Sequence, residues 1–165
     1  MNIKKIIKRI LAMIADWLEI PGSLYLAERY IYRRGMHIFP GRNIGMLTVG
    51  EKTSFHDVMI NLWAPVVIED GVNIAHNVML ITGGHEITSS GAQAKVVPRG
   101  GITIRSNAFI GSASIVLGGL TIGKASIVAA GSVVTRSVPD HQIWGGNPAK
   151  FIRKLPNDDV PIESI

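Results

Sequence analysis

At 165 residues the chain has room for one domain with a sizeable core, and its 47% hydrophobic content is ordinary for a folded protein. Seventeen Lys and Arg against twelve Asp and Glu leave a net charge of +5, which favours anionic partners such as phosphorylated cofactors, acidic membrane surfaces or nucleic acid. The absence of cysteine excludes a disulfide framework, Cys-ligated zinc and a thiol nucleophile, so any acyl transfer must be direct or use another residue.

The first element in chain order is a helix. Ile3, Ile6, Ile7, Ile10, Leu11, Ile14, Trp17 and Leu18 fall on one helical stripe, opposed by Lys4, Lys5, Lys8, Arg9 and Glu19, and Pro21-Gly22 ends it. Lys8, Arg9 and Asp16 break the apolar stretch, so neither a signal-peptide core nor a transmembrane span is expected. Two uses are open to this helix: packing on the body or on a neighbouring subunit, or peripheral contact of residues 2–20 with an anionic membrane. The expected location is cytoplasmic, with association at the inner face of the membrane as the variant. Residues 1–43 read as one helical, basic segment, to which Arg29, Arg33 and Arg34 add charge.

A six-residue period follows. Aliphatic residues recur at Ile104, Ile110, Val116, Ile122, Val128 and Val134, and small residues Ala108, Ser114, Ser126 and Ser132 fall four positions after the aliphatic one. Stepping back by sixes reaches Leu80, Ile74 and Ile68, so the interruption between Leu80 and Ile104 preserves phase. A helix would let this spacing drift around its surface, whereas six is a multiple of the two-residue alternation of a strand. With β-branched residues dominant and Gly, Asn and Asp between them, the pattern predicts short strands stacked into a parallel β-solenoid. A β-sandwich would give irregular loop lengths rather than a held phase. Val49, Phe55, Asn61 and Val67 keep the step one residue out of phase with Ile68, which predicts one local shift between coils. Residues 86–101 are polar, carry Pro98 and read as a protruding loop, and loops of this length inside a domain are often functional. Residues 156–165 read as an exposed tail.

The stretch from Ile110 to Val133 resembles the hexapeptide-repeat transferases. The run Ala130-Gly131-Ser132-Val133-Val134-Thr135, then Val138-Pro139, then Gly145-Gly146-Asn147-Pro148-Ala149-Lys150-Phe151-Ile152-Arg153, resembles the closing coils of their galactoside, maltose, antibiotic and polysaccharide O-acetyltransferase branch. The resemblance implies an all-β, left-handed, three-sided β-helix over residues 44–155. It also implies a homotrimer with acetyl-CoA grooves shared between neighbouring prisms.

The chemistry that such a chain needs is a base, an oxyanion donor and a groove for acetyl-CoA. Of the five histidines (His37, His56, His76, His85 and His141), His85 stands in Thr82-Gly83-Gly84-His85-Glu86, where the repeat gives way to the loop, and it resembles the catalytic histidine position of this branch. An imidazole, ordinarily titrating near neutrality, can take a proton from an acceptor and return it to the leaving thiolate. Glu86 is the nearest carboxylate that could orient it. His76 reads as a corner residue, and His56 is open between structural and acceptor-contacting roles. The carbonic anhydrase branch of the fold would need three zinc-binding histidines as a close pair plus one from an earlier coil, a spacing that is missing here, so no metal is expected.

From the resemblance, Ser112 stands at the thioester end, and Ala130, Thr135, Arg136, Lys150 and Arg153 line the acetyl-CoA groove. Small Ala130 suits a pantetheine arm, and the three cations suit CoA phosphates. Arg136 departs from the lysine common in relatives while keeping the charge. The function implied is acetyl-CoA-dependent O-acetylation of a sugar or surface-polysaccharide precursor. Alternatives are N-acetylation of an amino sugar, acetylation of a serine-like amino acid or an antibiotic, and a non-catalytic trimeric scaffold. Nucleic acid is not an expected partner, because few aromatics interleave with the basic groups.

Overall fold

A computed structural model describes residues 31–33, 36–40 and 46–156, and the helix expected over residues 3–18 and the tail beyond Pro156 lie outside them. The chain enters through an antiparallel pair, β1 (Ile31–Arg33) and β2 (Met36–Pro40), and then winds. One turn comprises β3 (Leu47–Val49), β4 (Ser54–Phe55) and β5 (Val58–Leu62), and the next β6 (Val66–Ile68), β7 (Asn73–Ile74) and β8 (Met79–Ile81). A hairpin of β9 (Gly83–Thr88) and β10 (Gly91–Pro98) interrupts the winding. It resumes through β11 (Ile102–Ile104), β12 (Phe109–Ile110), β13 (Ile115–Leu117), β14 (Leu120–Ile122), β15 (Ile127–Val128) and β16 (Val133–Val134). It closes with β17 (Gln142–Gly145) and its antiparallel partner β18 (Lys150–Lys154).

Three parallel sheets result. Face one stacks β2, β5, β8, β13 and β16; face two stacks β3, β6, β11 and β14; face three stacks β4, β7, β12, β15 and β17. This is a parallel β-solenoid of about five turns, as the period implies. Parallel pairing already begins at β2, before residue 44, where the repeat reading starts the β-helix.

The alternation explains the core. Along β5, Val58, Ile60 and Leu62 are buried while Met59 and Asn61 between them are only half-buried. Ile104 pairs with Ile122, Ile110 with Val128 and Val116 with Val134, and all six are fully buried. Leu80 pairs with Val116, two turns' worth of residues later, so the hairpin consumes the length of one turn and leaves the ladder in phase. The small residues at the fourth position fit inside the corners. Ser126 Oγ donates to the Gly123 carbonyl and Ser132 Oγ to the Ala129 carbonyl, both at 2.5 Å, so their burial leaves no unpaired hydroxyl.

The early coils depart from the six-step reading. Phe55 pairs with Ile74, but Asn61 pairs with Ile81 on the outer side, and Ile60 is the buried partner of Leu80. Val67 likewise lies between the buried Val66 and Ile68. Asn61 and Val67 are therefore not core rungs; the shift falls after Phe55, and the corner Trp63-Ala64-Pro65 then adds the residues that restore phase.

Corners use the left-handed backbone region. Asp57, Asn77 and Ala113 have φ near +57° between faces three and one, and Lys52, Asn107, Ala125 and His141 have φ of 50–60° between faces two and three. Asn and Asp tolerate this region better than Ala does. Among the described residues no helix is long and apolar enough to cross a membrane.

Candidate active site

The hairpin leaves the prism at the corner between faces one and two, and one buried hydroxyl anchors it. Thr82 Oγ1 donates to the Asn61 carbonyl at 2.5 Å and accepts the main-chain N–H of Trp63 at 2.8 Å and of Ala64 at 3.0 Å. The Thr82 carbonyl accepts the Arg99 N–H at 2.7 Å, closing the hairpin at its base. Packing dictates the first of the two glycines that follow and crowds the second. A Cβ at Gly83 would lie 2.4 Å from the Trp63 ring, and one at Gly84 would lie 3.0 Å from Arg99 Nε.

His85 is on β9, so it stands on the hairpin itself rather than on the last residue of a coil. Its ring is exposed, and Nδ1 lies 2.8 Å from the main-chain carbonyl oxygen of Gln93. A carbonyl can only accept, so Nδ1 carries the proton and, in the neutral ring, Nε2 carries the lone pair. The Arg99 guanidinium donates to the His85 carbonyl, fixing the main chain beneath the ring. Glu86, the carboxylate nearest in sequence, pairs instead with Lys95 Nζ at 3.3 Å. Strand alternation sends neighbouring side chains to opposite sides, so the orienting group is Gln93 and not Glu86.

Ser112 and Ala130 occupy a different corner, between faces three and one. The Ala113 N–H donates to the His76 carbonyl and the Gly131 N–H to the Ser112 carbonyl, which stacks His76, Ser112 and Ala130 on successive turns. Gly111 is required there, since a Cβ would lie 2.5 Å from the Ala130 nitrogen. Lys150 and Arg153 lie on β18, with Ala149 N–H bonded to the Val133 carbonyl and Ile152 beside Gly145 near Ala129. Thr135 and Arg136 are exposed after β16, at the corner from which the hairpin rises two coils earlier. Within one chain the candidate residues other than Arg153, which pairs with Ile143 on face three, form two groups on opposite edges of face one. His85, Thr135 and Arg136 are on one edge, and Ser112, Ala130 and Lys150 are near the other.

The remaining histidines are organised differently. His56 and His76 stack with centroids 4.8 Å apart, and His37 Nε2 lies 2.6 Å from Asp57 Oδ1. Among the described residues no three His, Asp or Glu side chains converge in a way that could hold a metal ion. At the third corner, carboxylates serve the main chain. Glu69 accepts from Ser106 Oγ at 2.8 Å and Ser106 N–H at 2.9 Å, and these bonds, aided by Arg105, hold its pKa below the ordinary carboxylate value.

Thr82, Gln93 and Arg99 join the site without a side-chain motif to announce them. Asn61 lies beside the hairpin root, its main-chain carbonyl accepting from Thr82, and its Oδ1 is buried with no hydrogen-bond partner among the described residues.

No protein-family model matches the chain. A Saccharomyces cerevisiae protein named "Putative acetyltransferase" is 40% identical over 104 residues, which cover 63% of this chain and 53% of that protein. This chain thus spans about half the length of that relative. A hexapeptide-repeat containing acetyltransferase from Vibrio cholerae O1 biovar eltor, solved in complex with acetyl coenzyme A, superposes with a TM-score of 0.67 at 31% identity, covering 74% of this chain and 66% of that one. A maltose O-acetyltransferase from Clostridium difficile 630 superposes with a TM-score of 0.66 at 28% identity, covering 74% and 64%. The six-residue ladder, the hairpin carrying His85 and these likenesses converge: the chain belongs to the hexapeptide-repeat acetyltransferase family.

Proposed function

We propose that the protein transfers an acetyl group from acetyl-CoA to a sugar hydroxyl, with His85 as general base. The observation that carries this reading is the engagement of His85 Nδ1 by the Gln93 carbonyl, which leaves Nε2 as a bare base on an exposed ring. Nε2 removes the proton from the acceptor hydroxyl as its oxygen attacks the thioester carbonyl carbon. The new C–O bond forms, the C–S bond breaks, and the imidazolium returns the proton to the departing CoA thiolate. No covalent enzyme intermediate is needed, in keeping with a chain that lacks cysteine.

Negative charge on the carbonyl oxygen calls for a donor, and Ser112 supplies it through its hydroxyl or main-chain amide. Ala130 leaves room for the pantetheine arm, Thr135 borders it, and Arg136, Lys150 and Arg153 attract the CoA phosphates. The preference for a sugar hydroxyl is supported by the likeness to the maltose O-acetyltransferase. Since His85 and Ser112 flank opposite edges of face one, the site is completed between chains, with the His85 edge of one prism facing the Ser112 edge of the next, as in a trimer. Mixing His85→Ala with Ser112→Ala protein would then restore activity in hybrid assemblies.

The test is thiol release from acetyl-CoA against a panel of sugars, amino sugars, amino-acid alcohols and antibiotics, with calorimetric titration of acetyl-CoA alone. Acceptor-dependent release with a sugar supports the reading. Release only with amines would move the assignment to N-acetylation, and no binding at millimolar acetyl-CoA would leave a non-catalytic scaffold.

A further inference from the structure

The contact that sets His85 comes from an irregular part of the hairpin. Between Gly91↔Thr88 and Ala92↔Ile87 on the tip side and Val96↔His85 on the root side, three residues of β10, from Gln93 to Lys95, oppose the single Glu86 of β9. The bulge brings the Gln93 carbonyl onto the ring of His85, whose main chain is paired with Val96. Bulges of this kind re-aim groups where they occur. The bulge residues lie on an exposed hairpin, so side-chain contacts hold them in place.

Lys95 of the bulge is ion-paired with Glu86 across it at 3.3 Å, and the Gln93 side chain pins the bulge to the hairpin tip. Its Nε2 donates to Thr88 Oγ1 at 3.0 Å, and lies 3.3 Å from both Ser90 Oγ and the Gly91 carbonyl. Thr88 Oγ1 is itself 2.9 Å from Ser90 Oγ and 3.2 Å from the Gly91 carbonyl. One residue thus grips the hairpin tip through its amide and the catalytic ring through its carbonyl. We infer that Gln93 is a positioning residue: its side chain locks the bulge to Thr88 and Ser90, and the locked bulge holds the proton of His85 on Nδ1.

This rests on the reading of His85 as the base, because only then does the tautomer matter to turnover. With the lock gone, the carbonyl is no longer held on Nδ1, and the proton can move to Nε2, the position that must be bare to accept the substrate proton.

The experiment uses the full chain with 15N-labelled histidine. Long-range 15N–1H spectra report the His85 tautomer without any substrate, and steady-state kinetics report kcat and KM for acetyl-CoA. In the parent protein the proton resides on Nδ1. In Gln93→Ala an Nε2–H population appears, and kcat falls about five- to tenfold with KM for acetyl-CoA unchanged, the size expected from one lost orienting hydrogen bond. Thr88→Val with Ser90→Ala, which keeps Gln93 and removes its hydroxyl partners, gives the same shift. Adding Gln93→Ala to that pair costs nothing further, because all three changes break one lock. A parent spectrum with the proton on Nε2 overturns the inference, as does a Gln93→Ala variant with unchanged tautomer and kcat. A tautomer shift in a protein that transfers no acetyl group supports the lock while sinking the proposed activity, so the two failures are separable.

Discussion

Replacing Thr82 with valine tests how the hairpin is rooted. The change is nearly isosteric and preserves β-propensity, so its cost is almost entirely that of the lost hydroxyl. That hydroxyl satisfies the Ala64 N–H, which is buried, and the Trp63 N–H, which is half-buried, while the Asn61 carbonyl keeps the weaker Thr82 N–H at 3.4 Å. An unsatisfied buried donor costs about 1–3 kcal/mol, and the half-buried one adds a fraction of that. The variant is therefore expected to lose about 2–4 kcal/mol in equilibrium urea unfolding followed by tryptophan fluorescence. Thr82→Ser keeps every bond and loses one buried methyl, at about 1 kcal/mol. A valine variant as stable as the parent, or more stable than the serine variant, would refute the assignment of the Thr82 hydroxyl as the anchor.

Further tests follow the same geometry. Gly111→Ala sets a methyl 2.5 Å from the Ala130 nitrogen, so the adjacent turns must separate; a loss above about 2 kcal/mol is expected, with weakened acetyl-CoA binding by calorimetry. Ala125, at φ +50°, is replaced by glycine with a gain of about 0.5 kcal/mol, the relief of left-handed strain less the added chain entropy; a lowered midpoint in thermal unfolding would contradict the strain. Glu69 has its pKa lowered by the Ser106 bonds, so its stabilisation is present above the ordinary carboxylate pKa of 4.5 and is lost as pH falls through the depressed folded value. Glu69→Gln should be less stable than the parent at pH 7, with the deficit vanishing in acid; a deficit constant with pH would exclude the linkage.

The solenoid was legible because every turn repeats the same environment. Ile104, Ile110 and Val116 each meet an identical demand one turn later, so the demand is written in sequence at a fixed interval. Legibility failed where a corner changed length. The six-step count showed a shift but not its place, because nothing local distinguishes a corner that is one residue short from one that is long; pairing of Ile60 with Leu80 settles it. The protruding segment read as a loop because its strands pair only with each other and face water on both sides, so no hydrophobic alternation marks them.

The site was legible in part for a related reason. His85 stood out because it marks the break in the repeat, and the Gly-Gly step before it proved to be room for Trp63 and Arg99. The group that orients the ring did not stand out, because a main-chain carbonyl has no residue type. Glu86 was the nearest carboxylate, and its salt bridge with Lys95 takes it elsewhere. The separation of His85 from Ser112 by the width of face one depends on which corner each residue occupies, and corner identity follows only from the full winding.

Single-turnover transfer from labelled acetyl-CoA to a sugar acceptor, comparing the parent with His85→Ala, tests the central claim most directly. The account predicts a rate about 10²- to 10⁴-fold lower in the variant with acetyl-CoA affinity unchanged, the range for loss of a general base. Transfer by His85→Ala at the parent rate would contradict it.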